Sequence, residues 1–190
     1  MQQQKFFDEY FMSETIHLAA KGIGCTSPNP LVGAVIAKNN RIVGRGFHRK
    51  FGEAHAETIA LLEARRYSND ATLYTNLEPC IHYGKTPPCA QAIVKAKIRR
   101  VVISMLDPNP TVDGKGVVFL KKNNIKVDIG LMDQEARELN RAYIKFIKTG
   151  KPYIILKIAS SLDGKIAPSE IKKGERYITC LLYTSDAADE

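Results

Sequence analysis

Apolar positions along the 190-residue chain recur at two periods, and the alternation between them marks out its elements. In EYFMSETIHLAAKGIG, Phe11, Ile16, Leu18 and Ala19 fall at helical spacing ahead of glycines, which predicts a helix over residues 6–22. LVGAVIA and RIVGRGFH are apolar runs joined by the polar KNN, the pattern of a β-hairpin. AHAETIALLEARR is made of strong helix formers, whereas ATLYTNL (71–77) and RRVVISML (99–106) are short runs rich in β-formers. Between those two runs, TPPCAQAIVKAK predicts a helix capped by Thr86, with Pro87 at its first position. DPNPTVDG (107–114) is a turn-rich loop. A helix near 115–123, a strand at IKVDIG and one further helix at DQEARELNRAYIKFIKTG complete the series.

Strands alternating with helices imply an α/β fold: a three-layer α/β/α sandwich around a mixed, mostly parallel sheet of about five strands. After Gly150 the pattern restarts, and KPYIILKIASSLDGKIA predicts an apolar strand running into a glycine turn. Only about 40 residues follow Gly150, too few for an independent α/β domain. The expected organisation is a domain over 1–150, the truncated start of a second over 151–179, and a non-native tail over 180–190. That tail, CLLYTSDAADE, is small, polar and acidic after a basic chain.

Composition narrows the setting. The hydrophobic fraction of 44% is that of an ordinary globular protein. No apolar run approaches the roughly 20 residues that span a bilayer, and MQQQKFFDEYFM lacks the pattern of a secretory signal, so a cytoplasmic, membrane-free protein is expected. In a reducing compartment a close cysteine pair reads as metal-binding or catalytic rather than as a disulfide. The net charge of +8, about +11 without the three acids of the tail, suits anionic partners: a phosphate on a small substrate or a nucleic-acid backbone. The basic residues are scattered, so charge alone does not choose between them.

The candidate chemistry sits in two stretches. His55 and Glu57 open the helix at AHAETIALLEAR, and EPCIHYGKTPPC places Cys80 and Cys89 on one proline-stiffened loop. Side chains two apart on a helix point about 200° apart, yet at the first turn both can lean toward a point in front of the helix N-terminus. The helix dipole there favours thiolate or hydroxide, and Cys89 gains the same help in the first turn of its own predicted helix. One histidine and two cysteines make three ligands, the number that leaves zinc an open, catalytic position. Glu57 is then placed to take a proton from water and pass it to a leaving group. His-x-Glu followed by Pro-Cys and a second cysteine is the arrangement of zinc-dependent nucleobase deaminases. As simple packing residues, Cys80 and Cys89 would leave the flanking prolines and the His55–Glu57 pair unexplained. Cys25 reads as a small packing residue, and His17 as core or surface.

The wide separation of the cysteines resembles the loop of the riboflavin-pathway deaminases, the N-terminal half of the bifunctional deaminase–reductases. PNPLVGAVI (28–36), GRGFH (44–48), GEAHAE (52–57) and SMLDPNP (104–110) carry the same resemblance in the same order. It implies a cytidine-deaminase-like fold and hydrolytic deamination of 2,5-diamino-6-ribosylamino-4(3H)-pyrimidinone 5′-phosphate, with release of ammonia. It also implies that His55, Cys80 and Cys89 hold zinc, that Glu57 moves the proton, and that the enzyme is a homo-oligomer with no nucleic-acid partner. Asn29 and His48 match positions that meet the base or ribose, while His82, Lys85 and Thr86 lie on the loop that faces the ribose phosphate. LKIASSLDGKIA resembles the opening of the family's NADPH-dependent reductase domain, which would make Ser160, Asp163 and Gly164 a remnant of its cofactor site. Reductase activity is expected to be lost, because the rest of that domain is not matched.

Two other readings stay open on the residues themselves. A tRNA adenosine deaminase shares the zinc chemistry and would use the basic surface, although the length of the cysteine loop speaks against it. A non-catalytic zinc-stabilised scaffold would have no need of Glu57.

Overall fold

The structure is a computed structural model that describes residues 2–83, 87–158, 160, 162 and 164–165. The elements are α1 Gln2–Ala20, β1 Gly33–Lys38, β2 Arg41–Phe47, α2 Ala56–Ala64, β3 Thr72–Leu77 and α3 Cys89–Lys95. They continue as β4 Arg100–Met105, α4 Lys115–Lys122, β5 Lys126–Ile129, α5 Asp133–Leu139 and α6 Arg141–Thr149.

The five strands form one sheet in the order β2-β1-β3-β4-β5. β1 pairs antiparallel with both its neighbours, whereas β3, β4 and β5 are parallel. Only β1 therefore runs against the others, the mixed, mostly parallel sheet that the alternation of elements predicts. Asn39 and Asn40, at φ 51° and 57°, turn β1 into β2 in the left-handed region that a tight hairpin needs.

Alternate residues of the strands feed two cores. Ala34, Ile36, Leu73, Val101 and Ile103 pack with Ala56, Ala60 and Ala64 of α2, Ile93 of α3 and Leu120 of α4. On the other face Val35, Tyr74 and Val102 pack with Phe11, Met12 and Leu18 of α1. Each fully buried Leu or Ile contributes roughly 1.5–3 kcal/mol, so this double burial fixes strand register and places the strand ends that build the site. α2 lies unusually close to the sheet: a Cβ built on Gly46 would stand 2.1 Å from the Ala56 carbonyl oxygen. The two glycines of GRGFH are the reason the helix can seat there.

Some boundaries differ from the pattern. α3 starts at Cys89 with Pro88 in the capping position, later than a helix opened by Pro87; Thr86 lies outside the described residues. The single helix expected at the end of the first domain is two. Asn140 divides it, accepting from the Leu31 amide at 2.8 Å and donating to the Leu31 carbonyl at 3.0 Å. Cys25 is exposed rather than packed. The chain separates into two compact units, 1–153 and 154–190. In the second unit, residues 154–158 have no regular secondary structure and are exposed, where the sequence predicts a strand. Apolar residues alone do not make one: a strand needs a neighbour for its amides and carbonyls. Among the described residues no helix is long and apolar enough to cross a membrane.

Candidate active site

Because β1 runs against the rest of the sheet, the segment entering β1 meets the segments leaving β2, β3 and β4 at one edge of the molecule. Those segments carry Asn29, His48, Cys80 and Asp107 respectively, so sheet topology assembles the site from four separate loops.

His55 caps α2 in extended backbone conformation, and Glu57 sits in that helix's first turn. Cys89 is the first residue of α3. The two helix starts converge, and the ligand atoms of His55, Cys80 and Cys89 all lie within 4.8 Å of one another. Nδ1 of His55 is 3.2 Å from the Cys89 sulfur and 3.5 Å from the Cys80 sulfur. The Cys89 amide donates to the Cys80 sulfur at 3.4 Å. Tetrahedral zinc, with bonds of about 2.0–2.3 Å, requires nitrogen and sulfur ligands roughly 3.5–4 Å apart, so this donor set fits the metal with little adjustment.

The electrostatics agree with that fit. A hydrogen bond with the Cys89 thiol pulls Cys80 down to about 4, while that same bond and burial push Cys89 well above the ordinary thiol range. Without a cation, two adjacent sulfurs do not both ionise, so they share one proton. The hydrogen bond with Cys80 raises the His55 imidazole. Glu57 is only 4% exposed, and burial lifts its carboxyl to about 7, near the value suited to giving and taking protons at neutral pH.

A cavity of about 380 Å³ opens over this cluster, with His55, Glu57 and Cys80 in its lining. Asn29, His48 and His82 line it too, so the described residues among those the sequence singled out for substrate come together. His48 is almost fully buried. Its Nδ1 lies 3.2 Å from the Ala54 carbonyl oxygen, and its Nε2 lies 3.0 Å from the Asn29 amide nitrogen. A carbonyl only accepts, so Nδ1 carries the hydrogen and Nε2 accepts from Asn29. Burial lowers this histidine, which keeps it in that neutral form. Lys85, Thr86 and Asp163 lie outside the described residues, while Ser160 and Gly164 are exposed in the second unit.

Several lining residues were given no role from the sequence. Asp107 accepts from the Tyr143 hydroxyl and the Asn109 amide, both at 2.9 Å, and burial raises its carboxyl. Tyr143 comes from α6, and Asn109 from the loop after β4. DPNP reads as a turn by composition; only the pairing of β3 with β4, with Leu77 opposite Met105, brings it beside the cysteine loop.

Comparison with known proteins places this geometry. Residues 5–105 match the model of the cytidine and deoxycytidylate deaminase zinc-binding region. The chain is 53% identical over 160 residues to the riboflavin biosynthesis protein RibD of Bacillus amyloliquefaciens, covering 84% of this chain and 43% of that protein. It is 49% identical to RibD of Escherichia coli over 160 residues, with coverages of 84% and 44%. Among solved structures, Acinetobacter baumannii RibD superposes with a TM-score of 0.84 at 47% identity, over 95% of this chain and 50% of that one. A diaminohydroxyphosphoribosylaminopyrimidine deaminase/5-amino-6-(5-phosphoribosylamino)uracil reductase from Thermotoga maritima gives 0.81 at 44% identity, over 85% of this chain and 47% of that one. The chain thus spans about half the length of the relatives it matches.

Proposed function

The chain belongs to the cytidine and deoxycytidylate deaminase zinc-binding family, and we propose that it deaminates 2,5-diamino-6-ribosylamino-4(3H)-pyrimidinone 5′-phosphate in riboflavin biosynthesis. The products are 5-amino-6-(5-phosphoribosylamino)uracil and ammonia. One observation carries the reading: three zinc-type ligands with a buried carboxyl beside them, beneath a cavity of about 380 Å³. The names of the RibD relatives support riboflavin biosynthesis as the pathway and this pyrimidine as the substrate.

His55, Cys80 and Cys89 are the residues that hold zinc. When bound, zinc supplies the Lewis acidity that makes water a nucleophile at neutral pH. Glu57 accepts a proton from that water and returns it to the departing nitrogen; the ring carbon gains oxygen, its C–N bond breaks, and ammonia leaves. Burial supports this role by holding the carboxyl near neutrality, where either direction of transfer is accessible. Asn29 presents its amide oxygen and its second N–H to the ring edge, the first N–H being given to His48. His82 faces the ribose phosphate, and Lys85 and Thr86 join it by position in the sequence. The net charge of +8 suits an anionic substrate.

The same reading makes residues 1–150 the deaminase domain and 151–179 the opening of a reductase domain, with 180–190 foreign to both. Ser160, Asp163 and Gly164 then belong to the NADPH site of a longer protein. It also makes the enzyme a cytoplasmic homo-oligomer that acts on a small molecule rather than on nucleic acid.

The test is ammonia release by the zinc-loaded protein from the phosphorylated pyrimidine, beside cytidine and an adenosine-containing tRNA stem-loop. Turnover of the first alone is expected. Turnover of the tRNA would transfer the assignment to RNA editing.

A further inference from the structure

Glu78, the first residue of EPCIHYGKTPPC, is 3% exposed and lines the cavity, yet neither of its oxygens is free. Oε2 accepts from the Gly114 amide at 2.9 Å and from the Asp107 amide at 3.3 Å. Oε1 accepts from the Val117 amide at 3.1 Å. A carboxylate that gathers three backbone donors is fixed in place and has little capacity left for a ligand.

The three donors come from one stretch, the loop after β4 and the first turn of α4. That stretch has no side-chain cap of its own: Gly114 occupies the capping position of α4. Glu78, just past the end of the neighbouring strand β3, supplies the missing acceptor at the end of the helix where a negative charge is favoured. The contact is close on both sides. A Cβ built on Gly116 would stand 2.2 Å from the Pro79 carbonyl oxygen and 3.0 Å from Oε1 of Glu78.

The two segments so joined have different tasks. Glu78 stands two residues before Cys80, a zinc ligand, while the tethered loop carries Asp107 and Asn109 into the cavity. Asp107 in turn holds the Tyr143 hydroxyl. We propose that Glu78 is a positioning residue: its carboxylate ties the zinc-binding loop to the 107–117 segment and so sets the distance between the reacting centre and the substrate wall. The proposal rests on the deaminase reading for its kinetic consequence but not for the tether itself.

Two variants test it from either side of the contact. Glu78→Gln keeps the volume and removes the charge, and Gly116→Ala wedges the segments apart while leaving the charge in place. Amide exchange by mass spectrometry on the zinc-loaded protein is expected to quicken across 107–117 in both, with zinc still at one per chain. In steady state the same variants are expected to raise KM about ten-fold, the worth of a hydrogen bond to a charged group, with kcat within about three-fold. Unchanged exchange in 107–117 would overturn the tether, and so would loss of zinc in step with faster exchange. A fall in kcat at constant KM would overturn the positioning role. Absence of turnover in the parent chain would defeat the deaminase reading instead, and exchange would still decide the tether.

Discussion

The side-chain amide of Asn29 donates to Nε2 of His48 across 3.0 Å, and Nδ1 of the same ring donates to the Ala54 carbonyl. His48 is thus a neutral imidazole with both nitrogens engaged. Both residues line the cavity, and the expectation is that His48 acts by holding Asn29 in place. Exchange of His48 for Ala is expected to raise KM about ten-fold, as loss of a buried hydrogen bond would. Adding His48→Ala to Asn29→Ala should cost nothing further in steady-state kinetics. Additive losses would mean that His48 touches the substrate itself.

Metal binding should be coupled to protons. The site without zinc keeps one proton between Cys80 and Cys89, and both sulfurs must be thiolates to bind the ion. Titration of the zinc-free protein near neutral pH is therefore expected to release protons, seen as a calorimetric enthalpy that changes with the ionisation heat of the buffer. Zinc at a thousand times its dissociation constant should then stabilise the fold by about 4 kcal/mol. A buffer-independent enthalpy would contradict the two-thiolate site.

Away from the site, Arg100 grips Asp8 through two hydrogen bonds of 2.8 Å, and the Tyr74 hydroxyl adds a third at 2.6 Å. Burial alone would raise Asp8, but these bonds, with one from Gln4, outweigh it and hold the carboxyl below its ordinary value. A lowered folded value stabilises above the ordinary Asp range, and that stability is lost as pH falls through the folded value. Asp8→Asn should therefore cost about 2 kcal/mol at pH 7 in urea unfolding, less than a fully buried pair because Asp128 still holds Arg100. The difference from the parent should shrink as pH drops below about 4.

Gly46 offers a test of how the sheet places the metal. A methyl there would meet the Ala56 carbonyl oxygen at 2.1 Å and the Ala60 amide at 2.7 Å, so Gly46→Ala has to push α2 outward. His55 immediately precedes that helix and would move with it. A loss of about 1–3 kcal/mol in stability is expected, together with weaker zinc binding in a competition titration. Unchanged zinc affinity would show that His55 is placed independently of the α2–β2 contact.

The parts of the site that were legible in the sequence are those whose chemistry is local. His55, Glu57, Cys80 and Cys89 are unusual residue types at helix starts, and their order alone suggests zinc. β1, β3 and β4 were the most legible strands, because each buries a nearly continuous run of residues. Glu78 and Asp107 fall in stretches that carry the family resemblance, but their roles, like that of Tyr143, were not legible, because the contacts form only when β3 and β4 pair and Asn140 breaks the last helix. Asn140 itself reads as an ordinary helical residue; its role depends on Leu31, over a hundred positions away. The apolar run at 154–158 shows the converse: its pattern predicts a strand, yet these residues are exposed and have no regular secondary structure.

The central claim is that the buried Glu57 carboxyl moves the proton at a zinc-dependent deaminase site. The most direct test is ammonia release from the phosphorylated diaminopyrimidine by the parent and by Glu57→Gln, with zinc content measured on the same samples. The account predicts one zinc per chain in both, and a fall in kcat of about 10²–10⁴-fold in the variant, the usual worth of a general acid–base. Zinc-loaded Glu57→Gln with undiminished turnover would contradict it.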